Sequence, residues 1–301
     1  MINLLKFRRS ILGAGTLFIL LIIGALWIIT QANRVTPDGS VADLSAPNPL
    51  PASSSLELET LTWMDVRDRI RAGTTRIVVP TGGIEQNGPF VTVSKHNHIA
   101  RAVSVRIAEL LGSTLVAPVV AFVPQGSISP PTDHMRYPGT ISLRQATFEN
   151  MLEDIVMSLA SHGFTEVVLL GDSFGNQEGL RTVAERLSKR LRAQAIRVLY
   201  IPEFYDYPSV HRFLATKGIH EQPEAFHEEL AFSLQLLAIA PDTLRYNERI
   251  AAGHSTLGGI SLLDREKLTG LGREIIELRA RTTVEAIRAQ SAHRLTTQGN
   301  G

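Results

Sequence analysis

Four short apolar runs constrain the fold: Ile77 to Pro80, Thr114 to Phe122, Glu166 to Leu170 and Ile196 to Ile201. Between them lie stretches with helical spacing. Ile99, Val103, Ile107 and Leu110 share one face, Phe148, Met151, Leu152, Ile155 and Leu159 a second, and Leu180, Val183, Ala184, Leu187 and Leu191 a third. Strands that alternate with helices make a mainly parallel sheet with helices on both faces, since each parallel return needs a crossover. The spacing therefore predicts one α/β domain, three layers deep as α/β/α, over residues 56–292. Two more helices are expected, from Glu224 to Leu237 and from Arg265 to Ala289. The Pro138-Gly139-Thr140 turn precedes the second periodic helix, and Gly163 is placed to end it. No internal repeat is visible.

The ends of the chain read differently. Lys6, Arg8 and Arg9 lie in a basic segment, residues 1–10, ahead of an uncharged stretch from Ile11 to Ile29. At helical rise that stretch extends roughly 28 Å, close to the hydrocarbon thickness of a bilayer. It is read as a transmembrane signal anchor over residues 11–30, with the basic side cytoplasmic and the bulk periplasmic or otherwise extracytoplasmic. The alternative is a long signal peptide cut after Ala32. Residues 31–55, rich in Pro, Ser, Ala and Asn, read as a flexible linker, and residues 293–301 as a disordered tail. The 301 residues carry a net charge of +1, which gives no reason to expect a nucleic-acid partner. There is no cysteine, so disulfides and thiolate metal sites are excluded.

Chemistry concentrates where strands end. Gly82-Gly83-Ile84-Glu85-Gln86-Asn87-Gly88-Pro89 follows the first run by one residue. A carboxylate there faces the crevice in which open α/β sheets bind ligands. The bland alternative makes Glu85 an acceptor for backbone N–H groups in the glycine turn. Lys95-His96-Asn97-His98 follows, with Asn97 placed to cap the next helix and His96 the inward ring of the two. After the third run comes Gly171-Asp172-Ser173-Phe174-Gly175-Asn176, a strand–turn–helix position that also matches Gly-x-Ser-x-Gly. Its alternative is a glycine turn in which Asp172 or Ser173 merely caps a helix. His134 sits in a loop fixed by Pro131 and Pro138, and His227-Glu228-Glu229 opens a later helix. A loop histidine is ordinarily a surface residue, and acids in a first turn ordinarily complement the helix dipole.

Together these segments resemble the creatininase (creatinine amidohydrolase) family over roughly Leu56 to Arg288. The resemblance rests on the Trp63 helix, Pro80 to Pro89, Tyr137-Pro-Gly-Thr-Ile-Ser-Leu143, His162-Gly-Phe164 leading to Gly171-Asp172, and Leu236 to Pro241. It implies a three-layer α/β/α fold, frequent homo-oligomers, and hydrolysis of non-peptide C–N bonds in amides, typically cyclic ones. It also implies two divalent metals, zinc or manganese, bridged by an aspartate. Here the metal shell departs from that pattern. The first acidic ligand is kept as Glu85. The histidine two residues later is Asn87, the bridging aspartate is His96, the later histidine is Ser173, and the glutamate after it is Gly175. The catalytic His/Glu pair corresponds approximately to His227 and Glu229. A bridging carboxylate neutralises two adjacent dications and an imidazole does not, so at most one metal is expected.

The expected function is thus a membrane-anchored amidohydrolase acting on a small amide or cyclic amide. Glu85, His96 and Asp172 would hold one metal, and His134, His227 and Glu229 would move protons. Asn87, Ser173, Phe174 and Asn176 would line the substrate pocket. Two alternatives stand beside it. One is a binding protein of the same fold without turnover. The other is a serine hydrolase using Ser173 with Asp206 and His254.

Overall fold

A computed structural model of the chain describes residues 43–222 and 227–296. The chain divides into two units at Pro51. The described part of the first, residues 43–51, contains turns, one closed by the Ser45 N–H donating to Asp43 Oδ1 at 2.8 Å. The second carries the sheet. Its strands are β1 (Arg76–Thr81), β2 (Thr114–Val116), β3 (Glu166–Gly171) and β4 (Arg197–Tyr200), all parallel in the order β2-β1-β3-β4. β2 is shorter than its apolar run because Pro118 has no N–H to donate. Pairing resumes past it, with the Val120 N–H donating to the Pro80 carbonyl at 2.9 Å and the Gly82 N–H to the Val120 carbonyl at 3.0 Å.

Eight helices flank these strands among the described residues: α1 (Trp63–Arg71), α2 (Lys95–Leu111), α3 (Gln145–Ser161), α4 (Gln177–Arg190), α5 (Tyr207–Thr216), α6 (Leu230–Ile239), α7 (Tyr246–Ala251) and α8 (Arg265–Thr296). The strand side chains alternate strictly between two cores. Ile77, Val79, Val167, Leu169 and Val198 pack with Phe148 and Leu152 of α3 and Leu180 and Val183 of α4. Val78, Val168, Leu170 and Leu199 pack with Ile99 and Val103 of α2, Leu234 of α6 and Ile275 of α8. The three layers expected from the sequence are present. β1 and β3 read as unbroken apolar runs because both their faces are covered.

Besides β2, three elements differ from the sequence reading. α6 begins at Leu230, not at Glu224, and part of the expected first turn falls on residues 223–226, outside the described residues. α8 continues to Thr296, past Ala289 and into the expected tail. Asn97 does not cap α2. It lies inside the first turn, and its Oδ1 accepts the Gly83 N–H at 2.9 Å. Glycine is required opposite it, since a Cβ on Gly82 would meet that oxygen at 2.1 Å. The expected transmembrane span, residues 11–30, lies outside the described residues. Among the described residues no helix is long and apolar enough to cross a membrane.

Candidate metal and hydrolytic site

The chain leaves β1 toward β2 on one side of the sheet, whereas β3 lies on the other side. The strand order thus reverses between β1 and β3, and the crevice beyond their carboxyl ends is where such sheets bind ligands. Thr81 and Gly171 are paired partners, so Glu85 and Asp172 emerge side by side. Asn176 joins the two exits, its Nδ2 donating to Thr81 Oγ1 at 2.7 Å and to the Gly82 carbonyl at 2.9 Å.

A buried chain of charges runs out from α8 to this crevice. Arg279 donates to Asp172 Oδ1 at 2.5 Å, to the Phe204 carbonyl at 2.8 Å and to Gln235 Oε1 at 2.8 Å. His96 places Nδ1 2.8 Å from Asp172 Oδ2 and Nε2 2.8 Å from Glu85 Oε1. Burial by itself would raise the Asp172 carboxyl, but the Arg279 guanidinium and the His96 ring outweigh it and hold it below the usual range. Burial opposes charge on His96 as well, yet Glu85 and Asp172 raise its pKa above the ordinary imidazole value. For Glu85 burial again pushes upward, and His96 with the hydrogen bond from His227 carries the carboxyl well below its usual range. With a carboxylate against each ring nitrogen, His96 is an imidazolium donating on both sides. Neither nitrogen keeps a lone pair for a metal.

Beyond His96 the chain opens into a cavity of about 340 Å³. Its wall includes Glu85, His134, Ser173, Phe174, His227 and Glu229. His227 Nε2 lies 3.1 Å from Glu85 Oε1, and His134 Nε2 lies 3.9 Å from Glu85 Oε2. Glu85, His134 and His227 each present one donor atom, all within 4.8 Å of one another. This mixed nitrogen–oxygen set suits one zinc or manganese ion with open positions. Among the described residues a second ion finds no comparable set. Asn87 turns its Nδ2 to the Glu85 and Thr92 carbonyls. Ser173 Oγ accepts from Gln125 Nε2 at 3.3 Å, and a Cβ on Gly175 would meet the Pro124 carbonyl oxygen at 2.3 Å.

His227 is one of the few non-glycine residues with positive φ, +61°, a conformation that costs energy and recurs at ligand sites. Its turn is tied down on both sides. Lys95, almost wholly buried, donates from Nζ to the His227 carbonyl at 3.3 Å and lies 4.0 Å from Glu85 Oε1. Burial lowers the pKa of this lysine despite the neighbouring carboxylates. Glu228 pairs with Arg249 and accepts the Phe90 N–H at 2.8 Å.

The sequence-based candidates sort clearly in space. Glu85, His96, His134, Ser173, Phe174, His227 and Glu229 share the cavity wall, whereas Asp172 lies one layer deeper. Asn87 and Asn176 do not face the cavity as expected, since their amides serve the backbone of neighbouring loops. The serine-hydrolase arrangement is not assembled. Asp206 caps α5 through the Ser209 N–H, and His254 is exposed and packs near Phe90. Arg279, Lys95, Tyr205 and Gln125 were not among the candidates. Arg279 had a readable signal, a cation on the buried stripe Ile275, Thr283, Ile287 of α8.

These features define a three-layer α/β/α protein with an acid–imidazole site at the switch point of its sheet. The family model described as creatininase, creatinine amidohydrolase, matches residues 59–296, and the chain belongs to that family. The creatinine amidohydrolase of Pseudomonas putida is 28% identical over 171 residues, which is 55% of this chain and 65% of that protein. The mycofactocin precursor peptide peptidase of Mycolicibacterium smegmatis is 32% identical over 109 residues, 35% of this chain and 41% of that protein. The chain thus spans less than two thirds of either curated relative. Among solved structures, a manganese creatininase aligns with TM-score 0.58 and 23% identity over 78% of this chain and 98% of its own. A putative creatinine amidohydrolase from Bacteroides fragilis aligns with TM-score 0.56 and 18% identity over 77% and 96%. At these identities the structures speak for the fold.

Proposed function

We propose that this chain hydrolyses an amide C–N bond in the cavity between β1 and β3, with one divalent metal held by Glu85, His134 and His227. The observation that carries this reading is the convergence of those three donor atoms on one cavity wall. It exchanges roles relative to the sequence reading: His134 and His227 become ligands, and His96 and Asp172 become their support. The names of two relatives, one a creatinine amidohydrolase and one a peptide peptidase, support C–N hydrolysis as the reaction class.

A divalent ion in this position supplies Lewis acidity to a carbonyl and to water. The protein does the rest. His96 and Lys95 hold Glu85 in place and ionised. Glu229 Oε1 stands 3.7 Å from His227 Nδ1, where it orients the ring from its far side. Glu229, like Asp133, is a carboxylate of the wall outside the metal set, and it reaches a ring of that set, His227. It takes a proton from the attacking water and returns it to the leaving nitrogen. Phe232, buried in the wall, gives the cavity an apolar side near the reacting carbon.

Equilibrium dialysis with elemental analysis tests the reading. One zinc or manganese per chain, with amidase activity lost in EDTA and regained on adding the ion, is the expected result. Activity unchanged by chelation refutes it. A second reading, ligand binding without turnover, is favoured by one observation. His96 and Lys95 already place two cationic groups against Glu85, which weakens its hold on a dication. Absence of bound metal together with thermal stabilisation by a lactam would select that reading.

We also propose that residues 11–30 tether the domain to a membrane with its bulk on the extracytoplasmic side. Release of the full chain into the supernatant by alkaline carbonate would refute the tether.

A further inference from the structure

Ser173 takes no part in the metal set, yet it lines the same cavity as Glu85, His134 and His227. Only 4% of it is exposed, and its Oγ accepts one hydrogen bond, from Gln125 Nε2 at 3.3 Å. Among the described residues the hydroxyl hydrogen has no acceptor. Buried donors are ordinarily satisfied, and an unpaired one on a cavity wall points to an acceptor that arrives with the ligand. No imidazole or carboxylate of the described residues hydrogen-bonds to Ser173 Oγ, so the hydroxyl has no base to make it a nucleophile.

The position of this hydroxyl is set from several sides. Gln177 Nε2 donates to the Gly171 carbonyl at 3.0 Å and to the Ser173 carbonyl at 2.7 Å. The Tyr200 hydroxyl in turn donates to Gln177 Oε1 at 2.8 Å. The Asp172 N–H donates to the Thr81 carbonyl at 3.0 Å, which ties the loop to the end of β1. Gln125 is itself buried and reaches across both strand exits. A Cβ on Gly83, two residues before Glu85, would meet Gln125 Nε2 at 2.3 Å, and the same nitrogen donates to Ser173. Behind the wall, only the His96 ring separates Glu85 from Asp172, the neighbour of Ser173 in the chain. Ser173 and the metal set therefore face one small space.

We propose that Ser173 is a catalytic residue that donates a hydrogen bond to the oxygen of the scissile carbonyl, with Gln125 its positioning residue. The proposal rests on the amide-hydrolase reading for its reaction. As the oxygen of water bonds to the carbonyl carbon, the π pair of the carbonyl moves onto its oxygen. The Ser173 O–H holds the negative charge there without giving up its proton. The pair returns as the C–N bond breaks, and the nitrogen leaves with the proton carried by Glu229. A donor already fixed in place needs no reorganisation when the charge develops, so its bond is strongest in the transition state.

Calorimetric titration of the full chain with methylphosphonate tests the proposal, since that tetrahedral anion has the shape of the adduct of water with acetamide. Ser173→Ala is expected to weaken its binding about tenfold or more, the worth of a hydrogen bond to a charged acceptor, with metal content and Tm near native. Gln125→Met is expected to weaken binding by a smaller factor, and to have no further effect once Ser173 is replaced by alanine. A merely structural role for Gln125 would add its loss in both backgrounds. The chelation test of the hydrolase reading follows metal and turnover, whereas this one follows affinity, so the two failures are told apart. No binding of methylphosphonate by the native chain, an affinity unchanged in Ser173→Ala or lost together with the metal, or a Gln125→Met loss that persists in the double variant would overturn the proposal.

Discussion

His96 shows how one substitution redirects a site. Where the family resemblance places a metal-bridging carboxylate, this chain has an imidazolium that is itself neutralised by Glu85 and Asp172. Removing the ring leaves two buried carboxylates facing each other's field with Arg279 and Lys95 as the remaining cations. His96→Gln should therefore cost about 3 kcal/mol or more in urea unfolding, the usual price of breaking a buried pair from one side. His98→Gln, in the same helical turn but only partly buried, should cost under about 0.5 kcal/mol. Equal losses would mean that the carboxylates do not depend on the ring. At the same scale, Glu229→Gln should lower kcat by about 10²-fold or more while metal content and KM stay near native. A variant that loses metal in parallel with activity would instead limit Glu229 to its support of His227. Of these residues the sequence exposed Glu85 and His96 through the glycine turn and the strand-to-helix exit. It brought His134 and His227 to the same site as proton carriers but could not show their ring nitrogens converging on Glu85, because the three lie on separate loops with no fixed spacing between them.

The elements were easier to read than the loops. Apolar period identified the sheet strands and the helices α2, α3 and α4, since their buried faces repeat every two or every three to four residues. α7 and the two-residue strands β5 (Thr256–Leu257) and β6 (Ile260–Ser261) escaped it because each is too short to show a period, whereas α5 carries a readable one in Tyr207, Val210 and Leu214 that the sequence reading passed over. One contact between elements could not be foreseen from a single helix. Gly272 of α8 lies so close to α6 that a Cβ would meet the Leu234 carbonyl oxygen at 1.9 Å. Gly270, one turn-half earlier, has nothing within 4 Å. Gly272→Ala should therefore destabilise the domain by about 1–3 kcal/mol through forced separation of the helices. Gly270→Ala should stabilise it by about 0.5–1 kcal/mol through helix propensity alone. Thermal melts of the two variants, read against the native chain, check both signs. The Gly272 loss should also weaken metal binding, since α6 begins just after His227.

At the scale of the whole molecule, the buried chain Arg279–Asp172–His96–Glu85 is what links the helical layer to the open end of the sheet. α8 packs on one face, β3 ends at Gly171, and Asp172 joins them through Arg279, while the hydroxyl of Tyr207 at 3.2 Å ties it to α5 as well. The pKa of Asp172 is lower folded than unfolded, so its contribution to stability is present above the unfolded carboxylate value and lost as pH falls through the folded one. Unfolded aspartate titrates near about 3.9, so stability from this link should be complete at neutral pH and decline only below about pH 4. Asp172→Asn keeps the size of the side chain and removes its charge. The variant should be less stable than the native chain at pH 7, and the gap should narrow as the pH is lowered toward 3. Urea midpoints measured across that range decide the matter. A gap that stays constant with pH would mean that Asp172 acts by shape, and the coupling between layers would then rest on the apolar contacts of α8 with α6.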